Sequence, residues 1–122
     1  MKKSKHRLIY FHVPCPNDKS ANELGRLCIL NRLAACVHII PVISIFEWQG
    51  KLNPEDELLL ILKTTKKRSD RLESFIEKNH SYEIPCILKI KGECNSSYYD
   101  WVKKQTKKDH TKPTKKLSTH PS

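Results

Sequence analysis

Apolar residues fall into short blocks along this chain, and the period within each block predicts its element. Leu8-Ile9-Tyr10-Phe11-His12-Val13 is rich in β-formers and is stopped by Pro14 and Pro16, which reads as a strand entering a loop. Asn17 or Ser20 can cap the helix that follows. Glu23 completes a Ser-x-x-Glu box, and Ala21, Leu24, Leu27, Cys28 and Leu33 give a helical stripe up to Ala34. Gly25 weakens that helix unless a neighbour packs closely there. Eight of the fifteen residues from Cys36 to Gly50 are β-branched or aromatic, which predicts a long strand, in which Pro41 requires an edge position or a bulge. A turn region at Gly50 and Asn53-Pro54 precedes Leu58-Leu59-Leu60-Ile61-Leu62, which reads as a strand buried on both faces and antiparallel to its predecessor. Ser69 starts a second helix with Leu72, Phe75 and Ile76 on one stripe, ending near Asn79-His80. Ile84 to Ile90 predicts a fourth strand, and Asn95 caps a third helix carrying Tyr98, Trp101 and Val102.

The order strand, helix, strand, strand, helix, strand, plus one helix, defines an α+β class. It is the ferredoxin-like βαββαβ pattern, with an extended hairpin between the second and third strands and an extra C-terminal helix. A sheet covered by helices on one face leaves the other face open, and a long hairpin bearing Phe46 and Trp48 leaves an apolar patch and an unpaired edge. Symmetric self-association is the simplest cover, so a homo-oligomer is expected.

The chain's 122 residues suit one domain. Composition matches a soluble globular protein, with 38% hydrophobic and 30% charged residues, and no apolar run approaches the roughly 20 residues of a membrane span. Five widely spaced cysteines, without a Cys-x-x-Cys pair or a secretory leader, lead us to expect reduced thiols and a cytoplasmic location. The net charge of +10 sits at the ends, because residues 8–102 hold 12 basic and 12 acidic side chains. We therefore divide the chain into a basic N-terminal extension (1–7), a folded domain (8–105) and a basic tail (106–122). The tail's composition cannot offset its ordering entropy, and polyanion binding is the alternative to a merely solvated end.

Leu33-Ala34-Ala35-Cys36-Val37-His38-Ile39-Ile40-Pro41, Ser44-Ile45-Phe46-Glu47-Trp48-Gln49-Gly50-Lys51, Leu62-Lys63-Thr64 and His80-Ser81-Tyr82-Glu83-Ile84-Pro85 follow one another at characteristic distances. This set resembles the CutA family of divalent-cation tolerance proteins. The resemblance implies a ferredoxin-like subunit in a tight homotrimer, similar in architecture to the PII signalling proteins and knitted together by the hairpin. Some motif positions depart from the family. One residue fewer separates Pro41 from Ser44, His38 replaces an Asn, and Ser81 replaces a Pro. A strand-1 cysteine proposed as a copper ligand in bacterial members aligns with Val13, with Cys15 two residues further on. A second histidine aligns with Asn79, while its neighbour is kept as His80.

Cys36 and His38, two apart on a strand, share a face and can supply two soft ligands to copper or zinc; the alternative is a buried thiol that merely packs. His80, Tyr82 and Glu83 leave the second helix in a loop that can open into an inter-subunit cleft, with Lys63 joining them where subunits meet. Capping and packing roles are the alternative there. The candidate metal set is thus Cys36, His38, His80 and Glu83, the cleft set Lys63 and Tyr82, and the trimer-interface set Phe46, Trp48 and Trp101. Nothing resembles an active site, so no enzymatic activity is expected. The expected function is a non-enzymatic trimeric response to divalent metal, copper foremost, holding a weakly bound cation or a small ligand between subunits. A structural or anchoring trimer and tail-mediated RNA binding are the alternatives. The sheet itself lacks the glycine and aromatic motif of an RRM platform.

Overall fold

A computed structural model describes residues 6–107, and seven elements follow one another in it: β1 (Arg7–Cys15), α1 (Asp18–Leu30), β2 (Cys36–Trp48), β3 (Lys51–Thr64), α2 (Lys66–Asn79), β4 (Leu88–Glu93) and α3 (Ser96–Gln105). The strands form one antiparallel sheet in the order β2-β3-β1-β4. Together with α1 and α2 this is the expected ferredoxin-like α+β arrangement, and α3 is the added helix. Strict alternation in β1 sends Ile9, Phe11, Val13 and Cys15 to one face, where they meet Leu60 and Leu62 of β3, Ala21, Leu24 and Cys28 of α1, and Leu72 and Ile76 of α2. α3 lies on the opposite face, where Val102 packs with Leu8 and Ala35. Among the described residues no helix is long and apolar enough to cross a membrane.

Asn17 is the cap of α1, its side chain accepting from the Ser20 N–H at 2.8 Å. The helix stops at Leu30, short of the Ala34 that the stripe suggests. There the Leu33 N–H donates to the Cys28 carbonyl and the Arg32 N–H to the Ile29 carbonyl, closing a Schellman turn with Arg32 at φ 61°. Leu33 and Ala34 stay in phase with the core and are buried in the connection. Gly25 has the close neighbour that justifies it: a Cβ there would lie 3.1 Å from Val37 Cγ1 of β2.

β2 and β3 pair one for one from Cys36↔Lys63 to Trp48↔Lys51, so Pro41 sits opposite Leu58 without a bulge. The edge position of β2 is sufficient to accommodate it. The turn is confined to Gln49 and Gly50, both at positive φ, as a two-residue hairpin turn requires. Asn53 and Pro54, expected in the turn, belong to β3 instead. β1 pairs with β3 only over Leu58–Thr64, so Lys51–Glu57 has a neighbour on one side and can hold a proline. The hairpin thus projects as a two-stranded arm with Ile43, Ile45 and Leu52 about 70% exposed (69%, 71% and 69%). Within one chain β3 is not buried on both faces as expected. Leu60 and Leu62 are fully covered by helices, whereas Leu59 and Ile61 are half-covered on the other face.

Two boundaries also move. α2 begins at Lys66, capped by Thr65, whose side chain accepts from the Arg68 N–H at 3.4 Å; Ser69 lies inside the helix. β4 begins at Leu88 because the ladder with β1 ends at His12, just before Pro14, which has no N–H to give. Asn95 caps α3 by position only. Thr106 is buried and its hydroxyl donates to the Val102 carbonyl at 2.9 Å. Of the two basic ends, residues 1–5 and 108–122 lie outside the described residues.

Candidate functional site

The candidate ligands fall into two groups at opposite ends of the sheet. Cys36 and His38 share the face of β2 that α1 and α2 do not cover, with Sγ 3.9 Å from Nε2. A tetrahedral zinc with bonds of about 2.3 Å to sulfur and about 2.05 Å to nitrogen spaces those atoms about 3.5 Å apart. The observed separation is therefore close to a ready bite. Lys63 stands opposite Cys36 on β3, its Nζ 5.4 Å from the Tyr98 ring of α3. Burial raises the Tyr98 phenol above its ordinary pKa, and the charge of Cys36 and a hydrogen bond with it add to this. Burial likewise raises the Cys94 thiol, against the lowering effect of the Lys63 charge. Among the described residues no three His, Cys, Asp or Glu side chains gather as a complete metal site.

His80 and Tyr82 sit at the other end, where β1 stops and the arm leaves the body. The Tyr82 N–H donates to His80 Nδ1 at 3.0 Å, which assigns the ring proton to Nε2, and Nε2–H donates to the Pro14 carbonyl at 2.8 Å. Both ring nitrogens are thereby engaged. Cys15 Sγ lies 3.8 Å from Nε2. The Tyr82 hydroxyl donates to Glu57, a carboxylate that is only 6% exposed. Burial and then the negative charge of Glu57 push the Cys15 thiol up to about 11. Burial and the Glu57 hydrogen bond also hold the Tyr82 phenol well above its ordinary range. Glu83 is exposed beyond this cluster.

Cys36 is opposite Lys63 and Cys15 is opposite Leu58, five residues along β3, so the two groups stand about 17 Å apart. One chain brings Cys36 to His38 and to Lys63, and Tyr82 to His80. It does not bring Cys36 and His38 to His80 and Glu83, nor Lys63 to Tyr82. Phe46 and Trp48 line a 320 Å³ groove at the arm's tip with Lys51, Asn53 and Glu55. Trp101 stacks on Tyr98 with ring centroids 5.6 Å apart, remote from the arm. Sequence reasoning missed Cys15 and Glu57 as partners of the histidine loop. The phase of Cys15 with Phe11 and Val13 was the available signal for its burial.

These features define an α+β protein with a projecting arm and a partly exposed thiol–imidazole pair on the face that α1 and α2 leave uncovered. The family model described as the CutA1 divalent ion tolerance protein matches residues 9–105, and the chain belongs to that family. It is 40% identical over 96 residues to Protein CutA of Homo sapiens, covering 77% of this chain and 54% of that protein. It is 34% identical over 96 residues to the Divalent-cation tolerance protein CutA of Thermus thermophilus, covering 77% of this chain and 93% of that one. The chain thus spans about half the length of the mammalian relatives that it matches (54% of the human and mouse proteins). Among solved structures, CutA1 from Pyrococcus horikoshii superposes with a TM-score of 0.80 at 28% identity, covering 82% of this chain and 99% of that one. CutA1 from Oryza sativa gives 0.79 at 32% identity, covering 84% and 96%.

Proposed function

We propose that the chain is a non-enzymatic, homotrimeric divalent-cation tolerance protein that holds a soft ion, copper or zinc, between Cys36 and His38. The observation that carries this reading is the 3.9 Å separation of the two side chains on one exposed face of an edge strand. Two ligands are half a tetrahedral site, so a neighbouring copy or water supplies the rest. The exposed Glu83 carboxylate of another copy is chemically fit for that position. His80 is not, because both its nitrogens already hold the chain around Pro14 and Tyr82. Trimer formation is supported by the apolar side chains of the arm and by the half-open face bearing Leu59 and Ile61. A small ligand bound between Lys63 and Tyr82 requires two copies, since each chain holds them at opposite ends. Five free cysteines support a reducing location such as the cytoplasm.

The test is titration of the reduced full chain with zinc and with Cu(I), counting bound ions per chain beside a mass measurement. We expect about one ion per subunit, lost in Cys36→Ser and in His38→Asn, with three chains retained. Undiminished binding in both variants, or no stoichiometric binding in the parent, overturns the site.

A further inference from the structure

Charge is separated between the two ends of β3. The arm end carries Glu47, Glu55, Asp56 and Glu57 against Lys51. At the other end β3 runs into α2, whose first turn is Lys66, Lys67 and Arg68 with no acid among them. Arg32, in the connection between α1 and β2, is brought to the same place: its carbonyl accepts from Arg68 Nε at 3.2 Å, and its Nη1 donates to the Gln105 carbonyl of α3 at 3.3 Å. The last turn of α3 adds Lys103 and Lys104, and Lys107 follows it. Among the described residues, none of these seven cations is in an ion pair.

Two further observations concern the same end. Ile9 pairs with Thr64, so β1 starts here, and the chain leaves α3 here after Thr106. Arg32 also occupies a left-handed position, φ 61°, at the helix-end site where glycine is the usual residue. A side chain there costs about 1 kcal/mol, and the Arg32 carbonyl holds the Arg68 side chain in the same cluster. Burial and the charge of Arg71 lower the Arg68 pKa.

We propose that this end binds the phosphate backbone of single-stranded nucleic acid, without regard to sequence, through Arg32, Lys66, Lys67, Arg68, Lys104 and Lys107. An extended polyanion matches cations that come from three separate segments, the α1–β2 connection, the start of α2 and the end of α3. A lipid surface is the weaker match. Residues 106–122 hold one large apolar residue, Leu117, so membrane affinity would rest on charge alone. The site goes beyond the metal reading and does not depend on it.

The experiment is fluorescence anisotropy of a labelled uridine 20-mer with the full chain in 50–200 mM KCl. Each cation–phosphate contact contributes about 0.7 to the slope of log affinity against log salt. In the triple variant Arg32→Gly, Lys66→Gln, Lys67→Gln we expect affinity at 100 mM to fall roughly tenfold or more and the slope to flatten by about 2, with both termini intact. Arg32→Gly suits the left-handed position, so the fold is expected to survive, as circular dichroism will check. If the triple variant misfolds, the exposed pair Lys66→Gln, Lys67→Gln decides with about two-thirds of the slope change. RNA binding that is equal in parent and variant assigns the effect to the tail and overturns the proposal. So does absence of binding at 50 mM KCl, or tighter binding to phosphatidylserine vesicles than to RNA at the same salt.

Discussion

Cys15 with His80 and Cys36 with His38 are two thiol–imidazole pairs of nearly equal reach, 3.8 Å and 3.9 Å, in opposite surroundings. The first is built into the body. Cys15 is 1% exposed, its thiol is held protonated by burial and by Glu57, and the imidazole beside it gives one nitrogen to the Pro14 carbonyl and the other to the Tyr82 N–H. The second pair lies on an edge strand with Lys63 opposite, and His38 is exposed. Distance alone does not make a metal ligand. Accessibility and an imidazole not already committed to the backbone do, and of the two pairs only the second shows both.

The sharpest test exchanges the two cysteines. Cys36→Ser is expected to weaken zinc binding at least a hundredfold, about 2.7 kcal/mol, whereas Cys15→Ser leaves it unchanged; equal losses would erase the distinction. Next, Tyr82→Phe leaves the buried Glu57 carboxylate without its donor. We expect a loss of about 2 kcal/mol in urea unfolding, with metal stoichiometry unaltered. The alkaline limb is smaller. Cys15 and Cys28 are raised from 9.0 to about 11 and about 12, both chiefly by burial, so the folded chain binds these protons more tightly than the unfolded one. That contribution to stability is complete below about pH 9 and falls as pH rises through 10 and 11, by up to about 1.4 kcal/mol per pH unit for each thiol. Urea midpoints at pH 8, 9, 10 and 10.5 will follow it, and a flat profile would show that the thiols are not buried in solution. The smallest effect is for Gly25→Ala. Its Cβ would press on Val37, the residue between Cys36 and His38, and the strain offsets a helix-propensity gain of about 1 kcal/mol. We expect stability to change by less than about 1 kcal/mol and zinc affinity to shift several-fold, as calorimetry will report.

The fold was legible wherever side chains carry the pattern. β1 alternates and α1 shows its stripe. β2 is β-branched or aromatic at most positions from Val37 to Trp48, so its length could be read directly. The first half of β3 could not be read. Lys51, Asn53, Pro54, Glu55 and Asp56 have no strand pattern of their own and are extended because β2 lies beside them, so pairing overrides propensity. Ile84 to Ile87 fail in the reverse sense. They look like strand, but β1 has no N–H to offer at Pro14, whose carbonyl goes to His80 instead. The same contrast governs the site. Two residues of spacing on one strand made Cys36 and His38 visible together, while Cys15 and His80 meet across 65 residues through a loop whose path no local pattern encodes.

The unbroken ladder from Cys36 to Trp48 makes the arm a ruler graduated in steps of two. Inserting one residue in each strand at the level of Ser44 and Glu55 would turn Phe46 and Trp48 to the side now held by Ile43 and Ile45, and any partner fitted to either side would meet the wrong one. Inserting two would keep both sides and move the tip outward by about 7 Å. Insertions paired across the two strands therefore keep both sides in even numbers only, and the arm's reach can be changed without changing what it presents.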